Sequence, residues 1–233
     1  MCFLSSRSIR LILICLAFIV SGFVPPDTAA ADSRNILWNI VTTCVDLNAT
    51  DYCTRCALPR IDSSCAHGHS CRDTTEVWQE TADYVAIRDI KMCGCEREFV
   101  HGLAIPRVLV TGIEDPGRSD GIWSFAWAVA RSHIEDELAI ALTVNPPGLR
   151  SQDQLHVHIV RLLPDARRRF TDAKSRRVPS LDNIWNAAAE MATGAGFKGH
   201  GVLVTKKPEG DFLIVVVEAS PEKLFTQWEC HGD

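Results

Sequence analysis

The sequence predicts an α+β fold with a mainly antiparallel sheet and flanking helices. Three observations point there. Between Gln154 and Ile159, Leu155, Val157 and Ile159 alternate with Gln154, His156 and His158, the period of two that marks a strand. Strand and helix patterns are mixed along the chain, with hairpin-length connections. The strand-like segments near the end are joined by a short hairpin connection, Lys206-Lys-Pro-Glu-Gly210. There is no phosphate-loop or dinucleotide signature, and no repeat of solenoid length.

The chain opens with Arg7 and Arg10, an apolar run from Leu11 to Val24, Pro25-Pro26 and Ala29-Ala30-Ala31. This is the pattern of a secretory signal peptide cleaved after Ala31, an uncleaved anchor being the alternative. Residues 32–233 are expected to form one domain. Ile36, Leu37, Ile40, Val41 and Cys44 predict a helix over 33–45, with Asp32 or Ser33 as its cap. Residues 46–73 are a Cys-rich loop holding Asn48-Ala-Thr50, a match to the glycosylation sequon that arises easily by chance. Tyr84 to Ile90 reads as a strand, and 99–110 as a second apolar segment interrupted at Pro106.

Asp120 is positioned to cap a helix in which Trp123, Ala126, Trp127 and Ala130 form one stripe, a core pattern. Residues 138–144 predict a strand leading into Asn145-Pro-Pro-Gly148, a turn that can fold over the polar face of the next strand. Residues 161–177 carry Arg161, Arg167, Arg168, Arg169, Lys174, Arg176 and Arg177, offset by Asp165 and Asp172. They read as a solvated loop or helix face, with attraction to anionic lipid headgroups as the functional alternative. A helix over 181–193, capped by Ser180 and ended by Gly194 and Gly196, follows. Strands at 202–205 and 211–219 come next, the second central and buried through Val215, Val216 and Val217. A short helix from Pro221 would return Cys230 to the body.

The formal net charge is −5, which disfavours general nucleic-acid binding. Two of the ten cysteines lie in the leader. The others, Cys44, Cys53, Cys56, Cys65, Cys71, Cys93, Cys95 and Cys230, are an even set in an exported chain and point to disulfides of undetermined connectivity. Cys53-x-x-Cys56, Cys93-Gly-Cys95 and the Cys65–Cys71 tract with His67 and His69 leave zinc as an alternative. A redox role for Cys53-x-x-Cys56 lacks the surrounding βαβ pattern.

On the 154–159 strand, two imidazoles and an amide point the same way, about 7 Å apart. A His-x-His pair alone also fits a solvated face, or a zinc pair whose further ligands come from elsewhere in the fold. Gln154-Leu-His156-Val-His158-Ile-Val160 resembles the histidine-triad motif of nucleotide hydrolases and transferases. The wider pattern resembles one branch of them, the bacterial CDP-diacylglycerol pyrophosphatases. It comprises Asn145, Arg150-Ser151-Gln152, the His-x-His strand, Leu163-Pro-Asp-Ala-Arg167, the Trp-rich segment 122–131 and the late hairpin. The first triad histidine is replaced here by Gln154.

The resemblance implies a histidine-triad-like fold and hydrolysis of CDP-diacylglycerol to CMP and phosphatidate. His156 would be the nucleophile, oriented by a backbone carbonyl, and His158 would contact phosphate or assist proton transfer. Gln154 would stand in the catalytic row without carrying a proton. Asn145, Arg150, Ser151 and Gln152 would bind substrate, with no metal or cofactor implied. Export to the periplasm, or to the periplasmic face of the inner membrane, and contact with a membrane surface would follow. The sequence leaves the oligomeric state open. Two other readings remain: a histidine-triad hydrolase of another nucleotide diphosphate, and a non-catalytic, disulfide-stabilised zinc-binding or interaction module. His67, His69, His101, His133, His200 and His231 lack the motif context and read as surface or satisfied histidines.

Overall fold

A computed structural model describes residues 34–170 and 173–230. The expected leader over 1–31, the caps Asp32 and Ser33, Asp172 and His231 lie outside them. The architecture is α+β, as the pattern predicts. Eight strands form one sheet: β1 (Val77–Glu80), β2 (Tyr84–Arg88), β3 (His101–Pro106), β4 (Ile140–Val144), β5 (Val157–Arg161), β6 (Lys174–Val178), β7 (Gly201–Lys206) and β8 (Phe212–Val217). Their order is β1-β2-β3-β5-β4-β7-β8-β6, and every pairing is antiparallel. The regular part of the motif strand starts at Val157. Gln154 precedes it as an isolated bridge to Thr111.

One face of the sheet packs against two helices, α3 (Gly121–His133) and α5 (Ile184–Ala195). Leu155, Val157 and Ile159 point into this core beside Trp123, Trp127 and Trp185, so the tryptophan stripe is core. Burying each aliphatic side chain contributes ~1.5–3 kcal/mol. A slip of one residue would drive both histidines into that core, so the packing fixes the register of the motif. Asp120 stands at the N-cap of α3, where its carbonyl accepts from Trp123 N–H but its side chain makes no capping bond. Its Oδ1 instead accepts the backbone N–H of Trp185 in the first turn of α5, serving the neighbouring helix. That helix starts at Ile184, later than predicted. Gly194 lies within it, and Gly196, at φ 74°, ends it in the left-handed region.

The opposite face carries two smaller apolar clusters. One joins Val85, Ile87, Leu103 and Ile105 to the N-terminal helical segment. That segment is α1 (Ile36–Asn39) continued by a π-helical turn, Ile40–Cys44, and it packs with Tyr52 of α2 (Tyr52–Arg55). The other joins Ala141, Val160, Leu203 and Val215 to α4 (Ala166–Arg169) and α6 (Pro221–Phe225). The polar residues of the motif lie on this same face.

All eight expected cysteines are paired: Cys44–Cys56, Cys53–Cys65, Cys71–Cys93 and Cys95–Cys230. The zinc and redox alternatives for these thiols therefore fall away. The last bridge spans 135 residues and pins the C-terminal segment beside the turn after β2. By loop-closure entropy such a bridge stabilises by ~4–5 kcal/mol.

The basic run departs from its expectation. Lys174–Val178 is an edge strand paired only through β8. Arg176 pairs with Glu190, and Arg177 with Glu209 and Asp211. Arg167 donates to the carbonyls of Leu138 and Lys206, and Arg169 to that of Leu224.

Candidate active site

His156 and His158 lie on the exposed-chemistry face of the motif strand, lining a cavity of about 810 Å³ with Asn145, Ser151 and Gln152. The sheet determines their neighbours. His158 lies opposite Leu103 on β3 and Thr143 on β4, and His101 lies opposite Val160. A strand from each side thus brings one more polar residue to the same face: His101 from β3 and Asn145 from the end of β4. A larger cavity of about 1080 Å³ shares the Trp228–Cys230 wall but has neither motif histidine among its lining residues.

Hydrogen-bond roles fix the protons. His156 Nδ1 is 2.8 Å from the carbonyl oxygen of Gln154. A carbonyl only accepts, so Nδ1 carries the hydrogen and Nε2 keeps its lone pair. The backbone carbonyl expected to orient the nucleophile is therefore in place, and replacing the first histidine by glutamine leaves it intact. A second chain runs through His158. His101 Nδ1 is 3.1 Å from the Trp228 carbonyl and must donate to it. His101 Nε2 then accepts from His158 Nδ1 at 3.0 Å. His158 Nε2 in turn faces the Nδ2 donor of Asn145 at 3.5 Å.

Burial holds these imidazoles neutral. It pushes His101 down to about 3, with the nearby Lys91 charge acting in the same direction. His156 is also lowered by burial, against the hydrogen bond to Gln154 and the charges of Glu222 and Asp89. His158 is pushed well below its ordinary value, first by burial and then by its histidine neighbours and Lys91.

A carboxylate network surrounds them. Ser220 caps α6 by accepting from Lys223 N, which delivers Glu222 to the site. Glu222 Oε2 accepts from Asn145 Nδ2 at 2.6 Å, and Oε1 pairs with Lys91 at 2.7 Å. Glu222 Oε1 also lies 3.5 Å from His158 Nδ1. Burial raises the Glu222 carboxyl, but Lys91, His101 and the hydrogen bonds outweigh it, leaving the group below its usual range. Asn145 Oδ1 accepts from Ser220, so both ends of its amide are fixed. Asp89 sits at the turn after β2, its Oδ1 taking Lys91 N–H, and burial raises its carboxyl.

Asp89, His101 and His158 place one donor atom each within 4.8 Å of one another and could hold a metal ion by distance. An ion there would have to replace the His101–His158 hydrogen bond, with the Lys91 ammonium close by on Glu222. Hydrogen bonding within the protein accounts for this arrangement.

Gln154, expected on the polar row, and Arg150, expected to bind substrate, have other partners. Gln154 is buried, and its Nε2 donates to the carbonyls of Pro106 and Val108 while its Oε1 accepts from Val110 N–H. It staples the loop after β3 to the motif. Arg150 turns its guanidinium to Glu114, at 2.7 Å. Gln152 lines the cavity, and its Oε1 accepts the Leu37 N–H. His101 is the main correction. It is a satisfied histidine, as expected, but its partner is His158 and it belongs to the site. Asp89, Lys91, Glu222 and Trp228 were not legible as site residues either, since each stands alone in the sequence without a motif.

A family model described as CDP-diacylglycerol pyrophosphatase matches residues 32–223. Proteins of Mycobacterium bovis and Mycobacterium tuberculosis named CDP-diacylglycerol pyrophosphatase are 32% identical over 111 residues. Each of these matches covers 43% of this chain and 41% of the relative, so the alignment spans about two-fifths of the relatives' length.

Proposed function

Because the chain belongs to the CDP-diacylglycerol pyrophosphatase family, we propose that it hydrolyses the pyrophosphate bond of CDP-diacylglycerol, giving CMP and phosphatidate. The observation that carries this reading is the Gln154 carbonyl on His156 Nδ1, which leaves Nε2 unprotonated in a cavity lined by hydrogen-bond donors. His156 Nε2 attacks the phosphorus next to cytidine. An N–P bond forms, the P–O bond to phosphatidate breaks, and phosphatidate leaves as an anion needing no proton. Water then attacks the same phosphorus and its proton passes to His158 Nε2. The imidazolium formed is stabilised by Glu222, beside its Nδ1. His156 departs with its original proton still on Nδ1, CMP is released, and His158 gives its extra proton up to solvent, restoring the neutral imidazole.

The lipid is favoured over a soluble nucleotide by the cavity mouth. Ile36, Ile90 and Leu149 line it and are 41%, 51% and 54% exposed. Exposed apolar side chains converging on one opening suit acyl chains. No helix among the described residues is long and apolar enough to cross a membrane. In this reading the protein is exported through residues 1–31 and works at a membrane surface.

The test is incubation of the purified protein with CDP-diacylglycerol and with soluble nucleotide diphosphates, with and without a chelator. Equimolar CMP and phosphatidate, released faster than any product from the soluble compounds and unaffected by chelator, is expected. Faster turnover of a soluble nucleotide would overturn the lipid assignment. Loss of activity with chelator would transfer the chemistry to a metal on Asp89, His101 and His158.

A further inference from the structure

We propose that Lys91 and Lys223, gathered on the ring of Trp228, bind the second phosphate of the substrate, the one that leaves. This rests on the reading of the cavity as a nucleotide diphosphate site, and it assigns residues outside the motif. Lys91 Nζ lies 4.9 Å and Lys223 Nζ 4.8 Å from the centroid of the Trp228 ring. All three residues line the cavity that contains His156 and His158.

The chemistry calls for positive charge there. Breaking the P–O bond leaves an additional negative charge on the departing phosphate. Asn145, Ser151 and Gln152 can donate hydrogen bonds but bring no charge, and the motif cation Arg150 is paired with Glu114. Lys223 has no ion pair among the described residues. Lys91 is anchored by Glu222, which fixes its position while leaving further N–H groups to donate. Ammonium groups act as compact point charges and suit a phosphate that changes charge during reaction.

The clamp is also coupled to the catalytic histidines. The Trp228 carbonyl accepts from His101, which holds His158, and the Cys95–Cys230 bridge ties down the same segment. The indole that carries the two lysines and the proton-transferring imidazole are thus positioned by one stretch of backbone.

The test compares CDP with CMP, which differ by that second phosphate. Affinities are measured by calorimetry in the full chain carrying His156→Ala, so that neither nucleotide turns over. The parent should bind CDP about tenfold or more tightly than CMP, the scale of one charge-assisted hydrogen bond. Adding Lys223→Met should lower the CDP/CMP ratio toward one, Lys91 retaining part of the preference, and Lys223→Arg should restore most of it. A merely structural role for Lys223 would weaken both nucleotides together and leave the ratio unchanged. An unchanged ratio in Lys223→Met, or CMP binding with no CDP advantage in the parent, would overturn the clamp. Failure of either nucleotide to bind would instead overturn the underlying reading of the cavity, and the clamp with it.

Discussion

His158 Nδ1 donates to His101 Nε2 at 3.0 Å across 57 residues of sequence. Because His101 must donate its Nδ1–H to the Trp228 carbonyl, its Nε2 is left as the acceptor and the pair has one consistent protonation pattern. His158 is thereby left with a lone pair on Nε2, the form that can accept a proton.

His101→Phe keeps the size of the ring and removes the acceptor. It would take the 3.0 Å acceptor from a buried His158 N–H, leaving only the more distant Glu222 Oε1 at 3.5 Å, at a cost of about 1–3 kcal/mol in stability. Turnover should fall by about 10- to 100-fold, as expected when a group assisting proton transfer loses its orientation. The check is urea unfolding together with a pH–rate profile. Loss of stability with an unaltered profile and kcat would make His101 purely structural.

Gln154 satisfies three backbone groups at once, on Pro106, Val108 and Val110. A neutral histidine offers one donor and one acceptor and cannot replace it. Gln154→His and Gln154→Ala should each lose about 1–3 kcal/mol of stability. They should reduce kcat less than His158→Ala does, for which a loss of about 10²–10³ is expected. If Gln154→Ala proves stable but as inactive as His158→Ala, the amide acts in the chemistry and not on the loop.

Histidine burial also sets a pH dependence. The folded His101 sits near 3 while the unfolded one titrates near its ordinary 6.5. Below about 6.5 the unfolded chain therefore binds protons that the folded chain refuses, so stability falls as pH drops toward about 3. His156 and His158 act in the same direction, and Asp89, whose carboxyl is raised, acts against them. The urea midpoint should be lower at about pH 5 than at about pH 7, and His101→Phe should lessen that difference. A midpoint difference unaffected by the substitution would contradict the account.

The motif strand, both long helices and the late hairpin were legible because their patterns are local. Leu155, Val157 and Ile159 give alternation within six residues, and the tryptophans of α3 give a stripe within two turns. β6 was hidden because Lys174-Ser-Arg-Arg-Val178 is an exposed edge held mainly by backbone pairing, which no apolar alternation announces. β1 is likewise short, with the burial of an edge strand. At the site, His156, the proposed nucleophile, and the carbonyl on its Nδ1 were legible since both lie within three residues. His101 and Glu222 reach the site through strand pairing and a C-terminal helix, so nothing near them in sequence records the contact. Arg150 shows the converse: a cation adjacent to the motif in sequence that the fold directs to Glu114.

The central claim is that His156 forms a covalent bond to the nucleotide phosphate. It is tested most directly by acid-quench mapping of the protein after mixing with CDP-diacylglycerol labelled on the phosphate next to cytidine. His158→Ala, which slows the second step, should accumulate the label. The account predicts an acid-labile, base-stable adduct on His156, absent from His156→Ala, which should also lose nearly all turnover. Full activity in His156→Ala, or label on any other residue, would contradict it.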